Sequence, residues 1–201
     1  SYPMALSAIS FFLMQSTDVL FISAYDTFDS VAYYSIAVKL ASVTALALIS
    51  VNIVIAPKIA SIYNDKNFYE LKLILKKATR INVVISLPII IVLLCFSEYI
   101  LSTFGSNYVL AKSALWVLLF AQFFNSVTGP SALYLNMTGR QKKLNVILLI
   151  SLLINIVLNI ILVPAYGMLG AAISTTASFI ISKILASALV LYLDNVKTFI
   201  S

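Results

Sequence analysis

Histidine is absent from this 201-residue chain, and Cys95 is its single cysteine. The two absences exclude a disulfide within the chain, and they leave a His/Cys metal site or a histidine-dependent membrane acyltransferase without its essential groups. Charge is scarce as well: 10% of the residues are Asp, Glu, Lys or Arg, against roughly 25% in soluble domains. Only seven residues are acidic, and none pair up as a metal-dependent glycosyltransferase would need. No Walker loop and no G-x-S-x-G elbow occurs. The expectation is a chain that is not an enzyme, with no catalytic residues, no metal and no cofactor.

What the chain has in excess is apolar surface. Hydrophobic residues make up 62%, and the mean hydropathy is +1.05. A water-soluble domain of this size leaves too much surface exposed to hide that share of apolar side chains. Its solvent must largely be lipid, where the backbone has to satisfy its own hydrogen bonds as helices or as a closed barrel. Barrel strands alternate apolar and polar residues, whereas the apolar stretches here are long and nearly unbroken. The expected fold class is therefore all-α, a polytopic membrane protein.

Spans of roughly 20 apolar residues are found at 3–23, 31–63, 81–104, 111–137, 144–163 and 168–191, six in all. The second is overlong and is expected to bend near Pro57; Pro88 and Pro130 lie inside the third and fourth, and Pro164 closes the fifth. Lys58, Lys66, Lys72, Lys76, Lys77, Arg80, Arg140, Lys142, Lys143 and Lys197 all fall on one side of this arrangement. The other side has only Lys112, together with Asp26 and Asp29. The positive-inside rule then puts both termini in the cytoplasm, and it turns the net charge of +6 into a topology signal whose partner is membrane lipid, with no nucleic acid. The connector 64–80 sets Phe68, Leu71, Leu75 and Ala78 against Lys72, Lys76 and Arg80. It reads as an amphipathic cytoplasmic helix that either anchors the chain or gathers anionic headgroups. Residues 194–201 form a cytoplasmic tail. The chain opens at Ser1 almost directly into a hydrophobic segment and is expected to lack an upstream part.

Ionisable groups inside spans are costly and tend to face an interior or a wet cavity. Asp18 lies ~8 Å and Lys39 ~12 Å below the outer ends of adjacent spans at the helical rise. They could form an ion pair, or Lys39 could attract an anionic substrate group in a cavity. Lys183 sits near the cytoplasmic end and can snorkel. Gln122 and Asn125 share a face of the fourth span just before Pro130, where a moving helix could bend; with Asp18 and Lys39 they are the substrate-binding candidates. Asn155 and Asn159, Pro164, and the small-residue stripe containing Gly170, Ser174 and Ser178 are assigned to helix packing.

Several stretches resemble the C-terminal half of bacterial polysaccharide exporters of the O-antigen flippase type. They are TDVLFIS (17–23), VAYYSIAVKL (31–40), IAPKIASIYN (55–64), TFGSNY (103–108), LNMTGRQKK (135–143) and NIVLNIILVPAYGMLGAAIST (155–175), in order along nearly the whole chain. The resemblance implies the multidrug, oligosaccharidyl-lipid and polysaccharide exporter superfamily, with two six-helix lobes around a central cavity. This chain would be the second lobe, and its partners a missing N-terminal lobe and an undecaprenyl-pyrophosphate-linked oligosaccharide flipped across the bacterial inner membrane. Lys39 would then face the diphosphate. Other readings are a multidrug extruder or peptidoglycan-precursor flippase of the same superfamily, a non-functional half, and a membrane polysaccharide polymerase. The short outer loops count against the last.

Overall fold

The computed structural model describes residue 13, residues 16–194, and residues 196 and 198. Among them every regular element is helical: α1 (16–25), α2 (Phe28–Val43), α3 (Ala45–Asn64), α4 (Phe68–Cys95), α5 (Ser97–Ser102), a 3-10 turn (Ser106–Ala111), α6 (Lys112–Thr128), α7 (Ser131–Met137) and α8 (Gln141–Asp194). The part of the first expected span before residue 13 lies outside the described residues.

Local sequence sets the helix starts. The Thr27 hydroxyl accepts from the Ser30 N–H at 3.3 Å and caps α2. Asn67 accepts from the Glu70 N–H at 3.2 Å, satisfying one of the donors the helix start leaves free, while its side-chain amide donates to the Glu70 carboxylate at 3.0 Å. Of the described prolines, Pro130 lies at a break, between α6 and α7. Pro57 and Pro88 sit inside continuous helices, and the second span instead bends by 47° between Phe28–Val43 and Leu48–Asn64, around Thr44. The basic stretch after Asn67 is no separate element. It forms the first turns of α4, with Leu71, Leu75 and Ala78 buried.

α8 is 54 residues long but not one rod. Gly167 has φ 54° and ψ −131°, and the Asn155 amide donates to the Thr175 hydroxyl at 3.1 Å. Twenty helical residues would hold those groups ~30 Å apart, so the chain reverses at Gly167 into two antiparallel arms. The fifth span therefore runs past Pro164. Gly167 makes the turn because a side chain is strained at positive φ, and a Cβ there would also stand 2.8 Å from the Asp26 carboxylate. Gly170 lets the arms close: its Cβ position is 2.2 Å from the Leu162 carbonyl oxygen. With α8 counted as one helix, three described helices are long and apolar enough to cross a membrane, four if the bent pair α2–α3 is one span.

The interior holds two apolar clusters. One contains Ile22, Tyr34, Leu93, Leu115 and Val163; the other contains Ile59, Leu71, Leu75, Tyr134 and Val190 toward the basic end. Buried polar residues include Asp18, Ser86, Ser126, Asn155, Asn159, Ser174 and Ser178, and the Ser86 hydroxyl donates to that of Ser126 at 2.7 Å. The outside is apolar instead, with Leu20, Ile53 and Val84 each at least 66% exposed.

Candidate functional site: a cavity beside Asp18

Asp18 is 2% exposed, and three other segments supply its partners. The Tyr34 hydroxyl on α2 donates to Oδ2 at 2.7 Å, and the Thr175 hydroxyl, on the second arm of α8, donates to the same oxygen. On the first arm, the amides of Asn159 and Asn155 donate to Oδ1 at 3.0 and 3.3 Å. Asn155 and Asn159 are one helical turn apart, so a single face presents both. The Gly167 reversal then brings Thr175 alongside. Four donors on two oxygens answer the hydrogen-bonding demand of a buried carboxyl group, which left bare would be expensive.

A cavity of about 290 Å³ opens beside this cluster. Asp18, Tyr34 and Thr175 form part of its wall, and Lys39, Gln122 and Phe179 form another. The expected Asp18–Lys39 ion pair is not made. Asp18 is taken up by its four donors, while Lys39 is exposed and its ammonium group forms no ion pair among the described residues. Gln122 reaches the cavity; Asn125 stands behind it, 6% exposed, with its amide 3.4 Å from the Gln122 side-chain oxygen. Asn155 and Asn159, assigned to packing from the sequence, belong to the Asp18 cluster as well. Gly170, Ser174 and Ser178 are buried along the second arm, whereas Pro164 is exposed. Tyr34 and Thr175 escaped the sequence reading. Their only advance signal was that a buried carboxylate must find donors somewhere. Among the described residues no group of His, Cys, Asp and Glu could hold a metal ion.

A second polar cluster closes the basic end. Arg140 pairs with Asp194 through both terminal guanidinium nitrogens, and Tyr134 donates to the same carboxylate at 2.7 Å. Arg140 also donates to the Tyr63 hydroxyl at 3.0 Å. Burial opposes the charge on Asp194, but the hydrogen bonds from Arg140 and Tyr134 and the Arg140 charge outweigh it and hold the carboxyl below its ordinary value. The cluster ties α3, α7 and the end of α8 together. At the opposite end Lys112 pairs with Glu98 at 2.5 Å.

An all-helical fold with apolar side chains outside and a buried, hydrogen-bonded carboxyl group beside an internal cavity defines a polytopic membrane protein. Residues 3–161 match the MatE family model, and the chain belongs to that family. It is 29% identical over 159 residues to a Shigella flexneri protein named "Putative O-antigen transporter", covering 78% of this chain and 37% of the relative. It is 26% identical over 184 residues to a Haloferax volcanii protein named "Probable low-salt glycan biosynthesis flippase Agl15", covering 90% of this chain and 38% of that one. The chain thus spans well under half the length of either relative. Its fold is similar to an outward-facing multidrug resistance MATE family transporter of the MOP superfamily, with a TM-score of 0.79 at 18% identity, over 100% of this chain and 45% of that structure.

Proposed function

We propose that the chain forms one lobe of a non-enzymatic flippase that carries a lipid-linked oligosaccharide from the inner to the outer leaflet of a bacterial cell membrane. A second lobe would complete the cavity, and the basic end would face the cytoplasm. The carrying observation is Lys39: an exposed cation without an ion pair among the described residues, on a cavity wall that also includes Val38, Leu118 and Phe179. An isolated charge at membrane depth is costly, and an anionic ligand group would offset that cost. An undecaprenyl-pyrophosphate linker has the required charge. The names of both curated relatives, which refer to O-antigen transport and to a glycan flippase, support the same substrate class.

The test is surface polysaccharide export by the full-length protein. A charge-assisted contact is worth about 1.5–3 kcal/mol, so Lys39→Ala should lower export by roughly tenfold or more at unchanged membrane abundance, and Lys39→Arg should retain most of it. Unaltered export in Lys39→Ala would discard the assignment. The fold shared with a multidrug transporter makes drug susceptibility the natural companion measurement.

A further inference from the structure

We infer that a groove between α3 and α4 binds an anionic phospholipid from the leaflet on the basic side, with its phosphate at Lys58 and Lys77 and an acyl chain along Val51, Val54, Ile55 and Ile81. The groove is distinct from the Asp18 cavity and has a volume of about 510 Å³. Nothing in the inference depends on what the cavity carries.

The two helices are antiparallel neighbours joined by a short turn, and this fixes which end of the groove is which. Lys58 lies six residues before the end of α3 and Lys77 nine residues after the start of α4, ~9 and ~14 Å from the turn at the helical rise. Deeper along α3, Val54 stands one turn from Lys58 and Val51 about two turns away. Deeper along α4, Ile81 stands one turn from Lys77. Lys58 therefore sits at the mouth of the groove beside Ile74, and Lys77 stands ~5 Å deeper, level with Ile55; beyond them the lining is apolar down to Ser50. That is the polarity of a lipid.

Charge and depth select the kind of lipid. No acidic residue lines the groove, and neither lysine has an ion pair among the described residues. Two like charges lining one groove repel, and a phosphate without a balancing amine relieves both. From Lys58 to Ser50, the farthest lining residue on α3, the groove descends ~12 Å, close to the ~15 Å thickness of one leaflet's hydrocarbon. This length suits an acyl chain that ends at the bilayer midplane. A longer polyprenyl tail would overrun it. The wall is open to the surroundings: Val54 is 62% exposed, so a lipid can enter sideways.

The experiment is native mass spectrometry of the purified chain in detergent, with equal amounts of dioleoylphosphatidylglycerol and dioleoylphosphatidylcholine. Phosphatidylglycerol should be retained preferentially, by roughly fivefold for each lysine near the surface. The variant Lys58→Gln/Lys77→Gln should abolish the preference, and Val54→Trp, which fills the groove from an exposed position, should reduce retention of both lipids. Lys72→Gln/Lys76→Gln, which changes lysines outside the groove, should keep the preference. Equal retention of the two lipids by the unaltered chain would overturn the proposal. Equal loss in both lysine pairs would overturn it too, since the effect would then be diffuse surface charge. Displacement of phosphatidylglycerol by a smaller amount of a polyprenyl phosphate would reassign the groove to an isoprenoid.

Discussion

Asp18 accepts hydrogen bonds from Tyr34, Thr175, Asn155 and Asn159, so neutralising or removing any one partner should be felt by the others. In reversible unfolding of the detergent-solubilised chain, Tyr34→Phe should destabilise by about 1–3 kcal/mol, the usual cost of a buried group losing its partner. Asp18→Ala and Tyr34→Phe should be non-additive by about 0.5–3 kcal/mol, while Asp18→Ala and Lys39→Ala should add. Coupling in the second pair and none in the first would overturn the assignment. The carboxylate itself was legible in the sequence, because an acid well inside a span stands out. Its depth and that of Lys39 were legible too, and together they suggested an ion pair. Direction around the helix was not legible. Tyr34 and Lys39 are five residues apart, about 140° around α2; Tyr34 points at Asp18 and Lys39 does not. Thr175 lies 157 residues from Asp18 and could be placed only by the turn at Gly167.

At the scale of elements, that turn and the clamp at the opposite end set the shape of the lobe. Gly167→Ala would put a Cβ at positive φ and 2.8 Å from the Asp26 carboxylate. It should destabilise the chain by at least the roughly 1–2 kcal/mol cost of a left-handed residue, and the Asn155–Thr175 contact should loosen with it. A melting temperature unchanged by Gly167→Ala would show that the turn tolerates a side chain. Long apolar runs made the helices legible in the sequence, whereas their breaks were misread at Pro57 and Pro164. In a membrane protein, neighbouring helices can re-satisfy the backbone a proline frees, and so Thr44 and Gly167 break where those prolines do not. The Arg140–Asp194 clamp was equally hidden, since Arg140 counted only as a topology charge. Asp194 has a folded-state pKa below its unfolded value, close to 3.9. Its contribution to stability is thus complete above that unfolded value and fades as pH falls through the folded one. Asp194→Asn should destabilise by about 1–3 kcal/mol at neutral pH and flatten the pH dependence of unfolding below about pH 4. A variant whose acid limb matches the unaltered chain would refute the clamp's role.

At the scale of the whole molecule, sidedness is the property on which the rest depends. The structure sorts its turns into two ends. Gly167 and Asp26 meet at one end, near which the charge pattern places Glu98 and Lys112. Tyr63, Arg140 and Asp194 meet at the other, and Lys66, Lys72, Lys76, Lys77, Lys142 and Lys143 gather toward that end in the sequence. Apolar side chains cover the flanks between the ends, with Leu20 66% and Ile53 71% exposed, and surface of this kind needs lipid or a companion lobe against it. If the ends face opposite compartments, a membrane-impermeant maleimide will tell them apart. Cys95, the single cysteine, is first removed by Cys95→Ser. Thr27→Cys should then be labelled in intact cells, and Gln141→Cys should be labelled only after permeabilisation. Labelling of both in intact cells would put the two turns in one compartment and overturn the crossing arrangement. Labelling of Gln141→Cys alone would keep the crossings and invert them, placing the basic end outside, against the rule that positive loops stay in the cytoplasm. With the expected result, the Asp18 cavity lies between the two compartments, with the Lys39 charge on its wall.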